Sequence, residues 1–408
     1  MVTDQIGASA SGTRDWGAVL LMVASAPCLA LIFTATGPIL PLIAGHFAGA
    51  GGVVFSLAGL EIHGPFYAQL LATLPSFGLI IGGGPSGWLI DRLGVRIVLT
   101  GALLLFVLFG SAGLYLDGAV ALLLSRFFLG FSAVALGAAS ISLVGERFDP
   151  AGRARLLSWR NILGGVIGVV SSWYSGDIAE IFGFHAVFAM FLVPAILIPV
   201  ALYALPPRPM GPRAAKQSAA DISLAFLWPL YALAIVLSVV MMINATQLPF
   251  LLVTNGITTP RMISHTMVLG SLASMAGSVL YSWAGPKLNI SGNYTAGAAL
   301  LGIGVTVLGL SHDRPVAALG IAITGLGAGW VAPHLSRIIL DRAPPAARGR
   351  AVGLNFSAIY LGDFVNPYIV PPIAVLVGIH NAFILIGGLV ALSALQILVP
   401  RRKTVAVG

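Results

Sequence analysis

Charge is scarce in this chain. Only 8% of its 408 residues are Asp, Glu, Lys or Arg, where soluble domains carry about a quarter. Hydrophobic residues make up 58%, and the mean hydropathy is +0.99. So few ionic side chains cannot clothe a water-facing surface of this size, which excludes a soluble globular fold. There is one cysteine, Cys28, so no disulfide can form within the chain. It lies in an apolar run and reads as a small buried residue. No glycine-rich loop ends in Lys-Ser or Lys-Thr, which argues against nucleotide-driven work. No cluster of metal ligands and no nucleophile–base set is visible. Catalytic residues, metal and cofactors are therefore not expected, and an enzyme is disfavoured. A cleavable signal peptide is missing too: sixteen mostly polar residues precede an apolar run from Gly17 to about Ala44, too long for a signal core and without a cleavage site. That run reads as a retained first span.

What the chain has in abundance is apolar segments of membrane-spanning length, about 20 residues each. They fall at about 17–45, 66–90, 97–116, 118–145, 156–176 and 183–205, then at about 223–253, 262–284, 293–311, 315–340, 351–376 and 381–400. A Pro/Arg-rich stretch, PPRPMGPRAAKQSAAD, separates the two sets. The expected fold is an all-α integral membrane protein of twelve spans in two pseudo-symmetric six-helix bundles. The expected divisions are residues 1–205, a cytoplasmic linker at 206–222, and residues 223–408.

Lys and Arg in the loops set the orientation. With the N-terminus cytoplasmic, 18 of the 21 basic residues fall on the inner side, the exceptions being Arg126, Arg261 and Arg314. The net charge of +8 and the pI of about 10.0 then have a topological cause. Contact with lipid headgroups accounts for them and nucleic acid is not needed. Both termini are expected in the cytoplasm of a multi-pass protein of the cell membrane, a bacterial inner membrane by this reading.

The halves repeat. ERFDPAGRAR (Glu146 to Arg155) resembles DRAPPAARGR (Asp341 to Arg350) at an offset of 195 residues, and the same offset places Gly130 on Gly325. Both segments follow a descending span and precede an ascending one. Halves repeated in the same orientation suggest bundles related by an axis along the membrane normal, as in one class of transporters.

Between the second and third runs stands GWLIDRLGVR, with Gly87, Asp91, Arg92, Gly94 and Arg96. Gly87 would permit close helix approach, and Gly94 the positive φ of a tight turn. Arg92 and Arg96 would hold the loop inside and meet lipid phosphate. Asp91 would cap a helix N-terminus. The pattern resembles the loop signature of the major facilitator superfamily, and with twelve spans and a repeat the resemblance covers nearly the whole chain. It implies that this loop is a conformational latch, with Asp91 meeting the start of the eleventh span near Ala351 to Gly353, and Glu146 a partner for Arg96. The alternative is a loop that only sets topology. The corresponding loop of the second half, GSVLYSWAGPKL, keeps glycines and a Lys but has no Asp.

Two further patterns resemble proton-coupled members of the superfamily. In the fourth span Arg126 is followed four residues later by Gly130; the resemblance implies an Arg facing a central cavity, tied to proton movement or to an anionic substrate. An Arg inside a span costs about 3 kcal/mol. The alternative is an Arg that snorkels to the outer surface marked by Asp117. The fifth span, NILGGVIGVVSSW, has Gly164, Gly165 and Gly168 but lacks the proline of the drug/proton antiporters; its glycines suit close packing between the halves.

Proton coupling needs a titratable group at depth. Asp363 lies 13 residues beyond Arg350, roughly 20 Å into a helix. Asn355, Tyr360 and Asn366 share its side of that helix within an arc of about 140°. The stripe reads either as the wall of a wet cavity or as an Asp holding two helices together. His334 in the tenth span can titrate or can serve as a hydrogen-bonded packing residue. Asn244 and Gln247 in the seventh, three residues apart, and Tyr231 are candidates for binding polar groups of a substrate, with Arg126. Pro249 would break the seventh helix. Glu61, His63, Asp177 and Glu180 read as solvated outer residues. The residues favour a transporter that exchanges protons for a small neutral, amphipathic or anionic organic solute, working outward by alternating access, its partners being substrate, protons and bilayer and its working form a monomer. Proton-symport uptake of an organic anion is the alternative; a receptor or channel fits the repeat and latch less well.

Overall fold

The computed structural model describes residues 12–57, 59–147, 150–205 and 222–395, with some side chains at the segment ends left aside. The linker expected at 206–222 lies outside them but for its last residue. Eleven helices among the described residues are long and apolar enough to cross a membrane. In chain order they are span 1 (Trp16–Phe47), span 2 (Gly64–Leu93), span 3 (Val95–Leu114), span 4 (Ala119–Leu143), span 5 (Leu156–Phe182) and span 6 (Phe184–Ala204). The second set holds span 7 (Ala225–Thr246), span 8 (Pro260–Lys287), span 9 (Ile290–Leu310), span 10 (Arg314–Arg342) and span 11 (Pro345–Val377). A shorter apolar helix, helix 12, follows at Ile379–Ala394. The fold is that of an all-α membrane protein.

The surface shows why water is the wrong solvent. Val375 and Leu376 are 85% and 83% exposed, and Leu104, Leu108, Val193 and Ile196 also point outward. Serines, threonines and amides lie inside instead, among them Ser25, Gln69, Thr246, Gln247 and Asn366. Exposed apolar area of this extent is stable only against lipid. Inside lipid each polar group must find its partner within the chain.

The internal repeat is carried by backbone contacts. Gly130 of span 4 sits on span 2: a Cβ there would lie 1.9 Å from the Pro75 carbonyl oxygen. Exactly the same offset on, Gly325 of span 10 sits on span 8, 2.3 Å from the Gly270 carbonyl oxygen. Gly82 packs on Phe131, and Gly277 on Leu326. Gly183 and Gly378 both take a positive φ, 83° and 85°, at the turns into span 6 and helix 12. His185 Nδ1 donates to the Gly113 carbonyl (2.8 Å), and His380 Nδ1 to that of Gly309 (3.0 Å). Arg92 lies over the Trp88 ring at 4.4 Å and Lys287 over the Trp283 ring at 3.8 Å. The loop after span 8 thus keeps its aromatic–cation pair while lacking the acid of its counterpart.

The chain packs as two compact units. One comprises Met1–Ala35, Leu74–Ser171 and His185–Ser218; the other comprises Thr36–Thr73, Ser172–Phe184 and Ala219–Gly408. Within the second lies a hairpin that the sequence reading left as loop. Strand β1 (Val53–Leu57) pairs antiparallel with β2 (Leu60–His63), Ser56 opposite Glu61, with an irregularity between Val53 and Phe55. Gly59 turns it with φ 84°. Phe55 stands edge-on to Tyr67 and Ile62 is buried, which ties the hairpin to span 2.

The three basic residues that break the charge rule each have a local partner. Arg126 Nη2 donates to the Gly110 carbonyl (3.0 Å) and Arg314 Nε to Thr266 Oγ1 (3.1 Å). Arg261 Nε pairs with Asp177 Oδ1 at 2.7 Å, with Glu180 at 3.9 Å. Asp177 and Glu180 are therefore engaged rather than merely solvated.

Gly130→Ala would force a methyl group into a carbonyl oxygen at the crossing of spans 2 and 4. It is expected to destabilise the fold by about 1–3 kcal/mol, read as a lowered Tm in detergent. Gly83→Ala, where nothing lies within 4 Å, leaves the Tm where it was.

Candidate functional site

A buried polar seam joins spans 7 and 11 within the second unit. A glycine makes it possible: at Gly362 a Cβ would lie 2.4 Å from the Ile235 carbonyl oxygen and 2.7 Å from Ser238 Cβ. With the backbones this close, side chains next to Gly362 reach span 7 directly. Ser238 Oγ donates to Asp363 Oδ1 at 2.5 Å. Asn366 Nδ2 donates to the Val239 carbonyl at 2.8 Å, and Asn366 Oδ1 accepts from Thr246 Oγ1 (2.9 Å) and Gln247 Nε2 (2.8 Å). Gln247 Nε2 also reaches Gln69 Oε1 of span 2 at 3.1 Å. Thr246 lies against Gln247 Oε1 as well. All of these side chains are buried. Span 7 ends at Thr246, and a short helix, Leu248–Thr254, resumes with Pro249 near its start. The break expected at Pro249 is there, and it is where Thr246 and Gln247 turn into the seam.

Asp363 is the one carboxylate among the described residues that is buried. A charge in such a place is costly, and a single serine hydroxyl is the hydrogen-bond donor that meets it. Chemically the seam offers a carboxyl that can exist protonated or ionised, set beside amides that donate and accept.

The other expected residues separate. Asn355 is buried on the same face of span 11, with Oδ1 unpartnered, and the half-buried Asn244 likewise has a buried, unpartnered Oδ1. Tyr231 donates to the Ala351 carbonyl at 3.3 Å, a third link between spans 7 and 11. Tyr360 stacks on Phe356, which is exposed (centroids 6.3 Å apart). His334 lies in a different seam, among spans 8, 9 and 10. Its Nε2 donates to the Ile290 carbonyl (3.1 Å) and its Nδ1 is 3.4 Å from Tyr281 Oη, the geometry of a packing histidine.

Arg126 of span 4 lies against spans 3 and 6. It is 1% exposed, capped on the Gly110 carbonyl, with its guanidinium over Phe188 (4.7 Å) and Phe191 (5.4 Å) of span 6. Two phenyl faces and a carbonyl supply the environment that lipid would deny a cation. The glycines of span 5 also differ from expectation: Gly164 packs on Ala26 of span 1, within its own unit.

In the loop after span 2, Gly94 has φ 82°, the tight turn that its identity requires. Arg96 Nη2 donates to the Leu202 carbonyl at the end of span 6 (2.9 Å), so it caps a helix C-terminus. The side chain of Glu146, its expected partner, lies outside the described residues. Asp91 is exposed and has no hydrogen bond or ion pair among the described residues. Gly87 has nothing within 4 Å of a Cβ position among the described residues. Gln69, Ser238 and Thr246 were missed by sequence reading. Gln69 and Ser238 are each a single polar residue in an apolar run without an acid nearby, and Thr246 stands between Asn244 and Gln247, whose amides drew the reading instead.

Repeat, lipid-facing exterior and buried polar seam define a duplicated, polytopic helical membrane protein. The sequence matches the Major Facilitator Superfamily over residues 22–292 and 233–407; the chain belongs to that superfamily and is a membrane transporter, not an enzyme. It is similar to a gentisate transporter of Corynebacterium glutamicum, 25% identical over 365 residues, which cover 81% of this chain and 79% of that one. It is 29% identical over 129 residues to myo-inositol transporter 3A of Cryptococcus neoformans, covering 31% of this chain and 21% of that one. Among solved structures, a D-xylose–proton symporter superposes with a TM-score of 0.74 at 16% identity, covering 94% of this chain and 97% of that one. A peptide transporter superposes with a TM-score of 0.71 at 15% identity, covering 93% of each. These superpositions show the shared fold.

Asn366→Leu removes one donor and one acceptor, leaving Gln247 Nε2 with Gln69 Oε1 alone and Thr246 Oγ1 without its bond to span 11. The expected cost is about 1–3 kcal/mol, read as a lower Tm of the purified protein in detergent. An unchanged Tm would mean that water or substrate already serves those groups.

Proposed function

We propose that the protein carries a small organic acid of the hydroxybenzoate type across the membrane together with a proton, and that Asp363 is the group that takes up and releases that proton. The observation that carries this reading is the isolation of Asp363: it is the one buried carboxylate among the described residues, held by Ser238 in the seam of spans 7 and 11. The substrate class is supported by the similarity to a gentisate transporter over four-fifths of the chain. Symport is preferred to the export favoured by the residues alone, because span 5 lacks the proline of the antiporter pattern and this relative handles an organic acid.

The halves at residues 1–205 and 223–408, with the linker 206–222 between them, are the bodies that alternate in exposing the site. Asp91 serves as their latch; its carboxylate is exposed and makes no hydrogen bond or ion pair among the described residues. Asp91→Asn is expected to slow transport severalfold while leaving the Tm unchanged, since no bond among the described residues is lost.

The coupling is tested in liposomes with labelled gentisate (a dihydroxybenzoate) and an acid exterior. Wild type should accumulate the acid, and collapsing the gradient should abolish accumulation. Asp363→Asn should lose gradient-driven accumulation and keep exchange of internal for external substrate. Undiminished accumulation in Asp363→Asn would remove Asp363 from the mechanism.

A further inference from the structure

The turn between spans 9 and 10 carries a histidine that takes no part in the seam of spans 7 and 11. The ring of His312 lies 4.9 Å from that of His380, at the start of helix 12, with the two planes tilted by 39°. Both residues belong to the second unit. His380 is held in place. Its Nδ1 donates to the Gly309 carbonyl at 3.0 Å. Gly309 lets helix 12 come close, since a Cβ there would lie 2.7 Å from the His380 carbonyl oxygen. With the proton on Nδ1, Nε2 of the neutral ring carries the lone pair. That is the tautomer of a metal-bound histidine, whose other nitrogen donates to a carbonyl or carboxylate.

The repeat separates what the fold needs from what is added. In the first half His185 makes the same bond, from Nδ1 to the Gly113 carbonyl (2.8 Å), at the turn into span 6. The offset of 195 residues that relates His185 to His380 places Asp117 on His312. The turn therefore forms without a second imidazole. His312 is exposed and makes no hydrogen bond or ion pair among the described residues, so no bond of the fold accounts for it.

The spacing suits chelation. A metal ion about 2.1 Å from an imidazole nitrogen lies roughly 3.2 Å from the centre of that ring. Two imidazoles that meet on one ion at a right or a tetrahedral angle then have centres roughly 4.5–5.2 Å apart. The separation of His312 and His380 falls inside that range. No group of three or more His, Cys, Asp or Glu side chains able to hold an ion occurs among the described residues. A structural zinc site supplies four protein ligands; a pair leaves the other positions to water, and its ion exchanges.

The geometry points to His312 and His380 as a two-histidine site for an exchangeable late first-row divalent cation: Cu²⁺, Ni²⁺ or Zn²⁺. Imidazole nitrogen selects these ions over Mg²⁺ and Ca²⁺, which take oxygen ligands. The bound ion clips the turn between spans 9 and 10 to the start of helix 12. The site is independent of the cargo and of Asp363.

The test uses full-length protein in detergent, purified without a histidine tag and stripped with a chelator. Each metal chloride is added alone while thermal unfolding is followed. Ni²⁺ and Zn²⁺ should raise the Tm by about 2 °C or more, and Mg²⁺ and Ca²⁺ should leave it unchanged. Cu²⁺ should bind tightest, in the usual order for such ligands, and its electron paramagnetic resonance spectrum should show two nitrogen ligands. His312→Gln breaks no hydrogen bond among the described residues. It should keep the metal-free Tm and weaken the apparent affinity by about tenfold or more. His380→Gln should also lose the response, from a lower starting Tm because the bond to Gly309 is gone. His63→Gln, at another place where a histidine stands beside an acid (Glu61, 3.9 Å), should keep the full response. A Tm indifferent to Ni²⁺ and Zn²⁺, a response retained in His312→Gln, or one lost in His63→Gln overturns the assignment and leaves the pair as a ring contact.

Discussion

Everything in this molecule answers to one constraint: lipid offers no hydrogen bonds. A polar group in a span must be satisfied by another part of the chain, and so the backbones must approach closely enough for short side chains to meet. Gly362 on Ile235, Gly130 on Pro75 and Gly325 on Gly270 are the points where this approach is made. Around the first of them gathers the network of Asp363, Ser238, Asn366, Thr246 and Gln247. A larger residue at Gly362 would hold the helices apart, and the seam would lose its short bonds together.

The same economy explains the charges. Of the basic residues at depth, Arg126 lies over two aromatic rings and donates to a carbonyl. Arg160 donates to Ser25 at the end of a glycine seam. Asp363 is held by another serine, in the other unit.

Much of the architecture was legible from the residues. Hydropathy located the spans, and the offset of 195 residues anticipated contacts that recur pair by pair, Pro75–Gly130 with Gly270–Gly325. Gly94 announced its turn, and the stripe of Asn355, Asp363 and Asn366 is a buried face. Periodicity gives an angle about a helix's own axis, however, and does not say which neighbour the face meets. That is why span 7 was not foreseen as the stripe's partner, and why His334 was grouped with residues of another seam. Arg160 was hidden in a run of loop arginines, because sequence cannot distinguish the last charge outside a span from the first one inside. The hairpin at 53–63 is too short for its alternation to stand out beside runs of twenty apolar residues.

The most direct measurement is of the proton itself. Liposomes containing the purified transporter and a trapped pH-sensitive dye, with no gradient imposed, would be given dihydroxybenzoate on the outside. The account requires the lumen to acidify as the acid enters, and requires that signal to vanish in Asp363→Asn. Entry of substrate without any change in luminal pH would contradict it.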